Sequence, residues 1–224
     1  MVKEKNGENT VEESEFRRRE IKFNHIIVIF MIGCVLGVIL EGLFCLCFKK
    51  HWESHVTFLW GPFNIVYGGG AALMYVISVF LEKKNAFVNF LCFAAMGTAV
   101  EWIAGYVQEH FLNSTSWSYG RLVIGKYISI PFTIMWGLLG MVFIYLLYPL
   151  LKKLLDKIHG RAWDIICRAV CVFMCVNLVV SAFVLVRWGQ RKAEPVASNR
   201  VEQFIDDHYS SDYLQDRFVE WKML

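Results

Sequence analysis

The heptapeptide Pro62-Phe63-Asn64-Ile65-Val66-Tyr67-Gly68 recurs as Pro131-Phe132-Thr133-Ile134-Met135-Trp136-Gly137, each copy inside a long apolar stretch. The correspondence runs on, because Leu81 and Lys83-Lys84 stand as far beyond Gly68 as Leu150 and Lys152-Lys153 stand beyond Gly137. Seven of the 23 positions aligned from Pro62 and Pro131 are identical, and both copies end on the same Lys-Lys pair. Upstream of each lies an acid set in apolar sequence, Gly37-x-x-x-Glu41 and Gly97-x-x-x-Glu101. Internal self-similarity outranks local pattern as a guide to architecture. Here it points to a duplicated two-helix membrane unit with one buried acid per copy.

Working outward, 56% of the 224 residues are apolar and the mean hydropathy is positive, too apolar a balance for an ordinary soluble domain. A helix needs roughly 20 mostly apolar residues to cross about 30 Å of hydrocarbon. Five segments meet that length, at about 25–48, 57–81, 88–111, 128–151 and 165–187. None reads as a cleaved signal peptide, since the first is full length and follows some two dozen polar residues. The expectation is an all-α integral membrane protein of about five transmembrane helices. Two tandem two-helix repeats, about 25–84 and 88–153, precede a fifth helix at about 165–187. A polar N-terminal segment (1–22) and an amphipathic C-terminal tail (188–224) flank the bundle. The net charge of +3 implies no nucleic-acid partner.

Placement of Lys and Arg near helix ends sets orientation. Arg17, Arg18, Arg19, Lys22, Lys83, Lys84, Lys152, Lys153, Lys157 and Arg161 fall on one side, ten residues. Lys49, Lys50, Arg121, Lys126, Arg187, Arg191 and Lys192 fall on the other, seven residues. The balance predicts a cytoplasmic N-terminus, and both Lys-Lys pairs then lie inside. The tail follows outside.

Helix 2 is expected to open on Trp60-Gly61-Pro62, with proline in the first turns where its missing donor costs little. Gly68-Gly69-Gly70 and the pair Gly137 and Gly140 read as close-approach positions between helices 2 and 4, in preference to a hinge. Cys167, Cys171 and Cys175 recur every four residues and read as a small-residue packing stripe, not a metal or redox site. No disulfide is assigned. Trp117, Tyr119 and Tyr127 in the 112–127 loop suit an interfacial aromatic belt, and Asn113-Ser114-Thr115 is a glycosylation sequon only in a secretory pathway. In the tail, Leu214, Phe218 and Trp221 recur at helical spacing, which fits a surface-lying helix or a cap on the bundle.

Glu41 and Glu101 are the leading candidates for chemistry. A carboxylate in a membrane helix costs about 2.5–3.5 kcal/mol on insertion scales and faces the bundle interior or water. Asn64, Tyr67, Thr133 and Trp136 come at a similar depth, so a pseudo-two-fold axis along the membrane normal would gather all six around one proton- or substrate-binding site. The plainer alternative makes each acid a structural hydrogen-bonding group tied to Asn64, Thr133 or Tyr67. Zinc-protease, hydrolase-elbow and Walker A motifs do not occur in the sequence, so a nucleotide-driven process would need a separate ATPase subunit. No catalytic residue, metal or cofactor is assigned, and an enzyme is not expected.

Several runs resemble a bacterial family of ABC-transporter permeases called CmpB-like, or ABC transporter type IV. Gly61-Pro62-Phe63 with Tyr67-Gly68 matches its second helix, and Glu101-Trp102-Ile103-Ala104-Gly105, followed by Glu109, is similar to its third. Trp117-Ser118-Tyr119 resembles its loop, and Trp136-Gly137-Leu138-Leu139-Gly140, running on to Tyr148-Pro149-Leu150, resembles its fourth helix. The tail Val201-Glu202-Gln203-Phe204-Ile205-Asp206 is similar to the end of some members. The likeness covers about 24–155 well. It departs at Ser118, where the family often has Asp, and at Ile124-Gly125-Lys126, where it often has Asn-Gly-Arg. The resemblance implies transport without naming a substrate or any binding residue. The expected function is membrane transport of a small solute or ion, as a permease or permease-like subunit. Its lipid-embedded bundle would be a homodimer or would join other membrane subunits. The rival expectation is a non-transporting membrane sensor or assembly and stress-response protein. A third, an intramembrane enzyme acting on lipid, would need a lipid-accessible cleft at the depth of the acids.

Overall fold

Apolar runs of membrane length become helices because no water is present to satisfy an open backbone. The computed structural model describes residues 21–112, 114–115 and 123–223. The polar segment 1–20, Asn113 of the sequon and the loop residues Trp117, Ser118, Tyr119 and Arg121 lie outside the described residues. Helix α1 spans Phe23–Lys49, α2 Ile65–Leu81 and α3 Ala86–Phe111. Helix α4, Ile130–Val142, passes through a π turn at Phe143–Leu147 into α5, Tyr148–Leu155. Helix α6 spans Arg161–Gln190, and two short helices follow, α7 at Arg200–His208 and α8 at Ser211–Arg217. The chain is a multi-pass membrane protein: α1, α3, the continuous rod Ile130–Leu155 and α6 are each long and apolar enough to cross. Only 28–33% of the most apolar window of each is buried within the protein.

The π turn ends at Leu147, two residues before Pro149. A proline inside a helix has no N–H to give and its ring crowds the carbonyl four residues back; a locally widened turn accommodates both.

The second span differs from the expectation. Its helix begins at Ile65, not near residue 57, so Pro62 precedes it. Pro131, by contrast, does sit in the first turn of α4. Asn64 caps α2, its side-chain oxygen accepting from the N–H of Val66 at 2.9 Å. Seventeen residues make a helix of about 25 Å, short of the hydrocarbon thickness. Residues 56–64 lead into it as an irregular segment that lies beside the middle of α1 and α6. Val56, Phe58 and Leu59 are each no more than 2% exposed. Irregular backbone at such depth survives only if the protein satisfies it, and α6 does so. Leu59 N–H donates to Ser181 Oγ at 2.7 Å and Trp60 N–H to Asn177 Oδ1 at 3.2 Å. Asn177 Nδ2 donates back to the Trp60 carbonyl at 2.8 Å. Asn64 N–H reaches the Cys34 carbonyl of α1 at 3.2 Å.

The glycines pack chiefly within helix pairs, not between α2 and α4 as expected. A Cβ on Gly68 would meet Cys34 and Phe30 of α1, and one on Gly137 or Gly140 would meet Phe90 or Phe93 of α3. Gly70 alone of these faces across, toward Trp136. Helix α2 runs unbroken through the three glycines. Cys167, Cys171 and Cys175 are free and pass from buried to exposed along α6.

The tail is a cap. Leu214, Phe218 and Trp221 are buried against Val38, Val56, Leu59, Val184, Leu185 and Trp188. The two-residue strand β4 (Lys222–Met223) pairs antiparallel with β1 (Ser114–Thr115) just after α3, and β2 (Val123–Ile124) pairs with β3 (Ile128–Ser129). Arg187, 1% exposed, anchors the fold-back: its Nη2 lies 2.5 Å from Asp206, and Arg191 Nε holds the other Asp206 oxygen at 2.7 Å. The Arg187 bond, and after it that of Arg191, holds the Asp206 carboxyl below its ordinary pKa.

Candidate functional site

Each candidate acid sits one helical turn beyond a glycine, and at that glycine an aromatic side chain from the next helix packs against the backbone. Gly37 receives Tyr67, and a Cβ there would come within 2.3 Å of the ring. Gly97 receives Trp136 in the same way, at 2.0 Å. The ring then carries its polar end toward the carboxylate above the glycine. On the α3–α4 side this ends in a hydrogen bond: Trp136 Nε1 donates to Glu101 Oε1 at 2.9 Å, with both residues buried.

Between the two pairs lies a cavity of about 250 Å³ lined by Glu41, Tyr67, Asn64, Glu101 and Trp136. Five of the six residues expected from the sequence therefore meet at one place. Thr133 does not line it. Its hydroxyl is 2.8 Å from that of Thr98, which donates to the Ala94 carbonyl, so Thr133 joins α3 to α4 away from the cavity. Asn64 is committed to structure on all sides, capping α2 and donating from Nδ2 to the His55 carbonyl at 2.8 Å. Phe132, Met135, Leu139 and Val66 supply an apolar wall.

Sequence reasoning missed part of the lining. Thr57 contributes, and Glu220 arrives from the C-terminal tail; Gln108, a polar residue near the outer end of α3, lines it as well. Above the cavity His55, 4% exposed, stands between two sets of acids. Its Nδ1 is 3.3 Å from Glu41 and in closer contact with Glu220. Its Nε2 is 3.2 Å from Glu53 and 3.3 Å from Cys45 Sγ. Glu53 also binds Lys49 at 2.5 Å and His51 at 2.7 Å. The run from His51 to His55 is dense in titratable residues, which was the signal available. Nothing in the sequence placed Glu220 beside it.

In this loop, outside the spanning helices, burial disfavours charge on the His55 ring. Close contact with the Glu220 and Glu41 carboxylates, and their charges, outweigh it and push its pKa up to about 11. The bond from Lys49, with a further one from His51, holds Glu53 down at about 2. At the far end of α3, Glu109 accepts from Tyr127 at 2.5 Å and pairs with Lys126, fastening the β2–β3 hairpin to the helix. This hairpin contact is outside the cavity. The cavity can therefore hold a small, partly apolar molecule with a positive or protonatable group, since its lining combines the carboxylates of Glu41, Glu101 and Glu220 with hydrocarbon.

No curated protein and no solved structure matched the chain. A family profile described as "Putative ABC-transporter type IV" matches residues 28–182, which cover most of α1, all of α2–α5, most of α6 and every residue lining the cavity except Glu220. By that match the chain belongs to the ABC-transporter type IV (CmpB) family.

Proposed function

We propose that the protein carries a small cationic or protonatable solute across a bacterial plasma membrane, as a permease or permease-like subunit and not as an enzyme. One observation carries this reading: a single cavity holds Glu41 and Glu101, one acid from each helix pair, beside the aromatic ring that its neighbouring helix supplies. We take the two pairs as a duplication, because Gly37 and Glu41 map onto Gly97 and Glu101 at one offset while Tyr67 maps onto Trp136. The N-terminus and the Lys-Lys turns lie on the cytoplasmic side, following the basic residues. A separate ATPase or a second copy of the chain supplies what one small bundle lacks.

The test is flux in proteoliposomes containing a pH-sensitive dye, with a membrane potential imposed and a panel of monovalent organic cations offered. Wild-type protein is expected to move protons or one of the cations, and Glu101→Gln to cut that flux at least tenfold. Full flux in Glu101→Gln removes the carboxylate from the mechanism. A second reading rests on the Trp136–Glu101 bond, which ties α3 to α4. In it the protein is a non-transporting sensor or assembly factor, and the same substitution lowers the melting temperature with no flux to lose.

A further inference from the structure

The cluster around His55 does not follow from the transport reading. Its members come from three places distant in sequence: Glu41 on α1, His55 in the loop and Glu220 in the tail. One ligand atom from each lies within 4.8 Å of the others. Ligand atoms held about 2.0–2.2 Å from one metal ion lie roughly 3–4 Å apart; His55 Nδ1 already stands 3.3 Å from Glu41, and a small outward movement of Glu220, which is in closer contact with it, would make room for the ion. The Nδ1 of His55 is buried and makes no hydrogen bond of ordinary geometry, although two carboxylates press on it. A ring nitrogen aimed between two carboxylates is the donor set of a divalent metal. Its backbone is held firmly, since the His55 carbonyl accepts from Asn64.

We propose that Glu41, His55 and Glu220 form a binding site for one divalent transition-metal ion, with its open coordination positions toward the cavity. One imidazole with two carboxylates suits Zn²⁺, Mn²⁺ or Fe²⁺ over Ca²⁺ or Mg²⁺, which favour all-oxygen shells. The ion displaces the ring proton and neutralises the two acids. Because Glu220 belongs to the tail, the ion also clips the tail to α1. A second donor set, Cys45, Glu53 and Nε2 of the same His55, also lies within 4.8 Å. We assign the metal to the Nδ1 face, since Glu53 is already bound to Lys49 and His51.

The experiment is equilibrium binding of Zn²⁺ and Mn²⁺ to chelator-stripped, full-length protein in mild detergent. Limited proteolysis of the tail is followed in parallel. The expected result is one ion per chain, at least tenfold weaker binding in His55→Ala and Glu220→Gln, and slower tail cleavage when metal is present. Glu101→Gln and Cys45→Ser should bind within about twofold of wild type. The tail variant Glu220→Gln keeps the test valid if His55→Ala does not fold. No saturable binding by wild type, or undiminished binding by Glu220→Gln, overturns the proposal. Loss in Cys45→Ser without loss in Glu220→Gln overturns the choice of face. Because Glu101→Gln separates flux from metal binding, failure of this site and failure of the transport reading are distinguishable.

Discussion

The two helix pairs begin from one local plan and end differently. In α3–α4 the glycine, the acid and the aromatic ring close on themselves: Trp136 lies on Gly97 and donates to Glu101. In α1–α2 Tyr67 lies on Gly37, but Glu41 turns to His55 of the irregular segment and, through it, to Glu220 of the tail. The first acid is enclosed by its own pair, and the second is shared with distant chain. A repeated motif therefore fixes where a carboxylate stands and leaves its partner to whatever chain covers that end of the bundle.

The largest effect should come from releasing the cover. Arg187→Ala removes the buried guanidinium that holds Asp206 and is expected to cost about 3 kcal/mol. That is the low end for breaking a buried pair, because Arg191 still holds Asp206. Thermal unfolding in detergent would measure it, and residues 200–217 should become protease-sensitive while α3–α4 does not. An unchanged melting temperature would mean that the tail is not seated by this pair. A smaller effect contrasts the two aromatics. Trp136→Phe leaves a buried carboxylate without its indole donor and should cost about 1–3 kcal/mol. Tyr67→Phe should cost less, because Glu41 retains His55. Equal losses would abolish the distinction drawn between the pairs.

The smallest effect is one of pH. In the folded protein Asp206 titrates below the ordinary aspartate value of 3.8, so its contribution is fully present above that value and is lost as pH falls through the lower, folded one. The stability gap between wild type and Asp206→Asn should accordingly be constant from pH 7 to 5 and close under stronger acid. A gap that widened on acidification would reverse the sign and remove the ion pair as its cause.

Much of this was legible in the sequence. Glu41 and Glu101 stand out because a single charge in hydrocarbon is costly enough to demand a reason, and Gly37 and Gly97 mark where a ring can reach the backbone. The start of α2 was misread because Val56-Thr57-Phe58-Leu59-Trp60 is as apolar as a helix would be. Hydropathy reports burial and is blind to backbone shape, and the hydrogen-bond partners that permit an irregular path, Asn177 and Ser181, lie more than a hundred residues away. Thr133 was grouped with the cavity by its place in the repeat, but one helical face decides which side chains meet. The approach of Glu220 to His55 follows from the tail folding back over the bundle, and no periodicity encodes that.

The irregular segment 56–64 has a consequence for the order in which the molecule is made. Its backbone is completed by Asn177 and Ser181 of α6 and by Arg217, which donates to the Phe58 carbonyl at 2.9 Å. All three leave the ribosome long after the segment itself. During synthesis the segment's closure must therefore wait for the last span, although α1 and α2 can already pack on each other through Gly37 and Gly68. The second pair carries its own closure and can settle at once. Assembly thus runs against chain order, with the N-terminal half finished by the C-terminus.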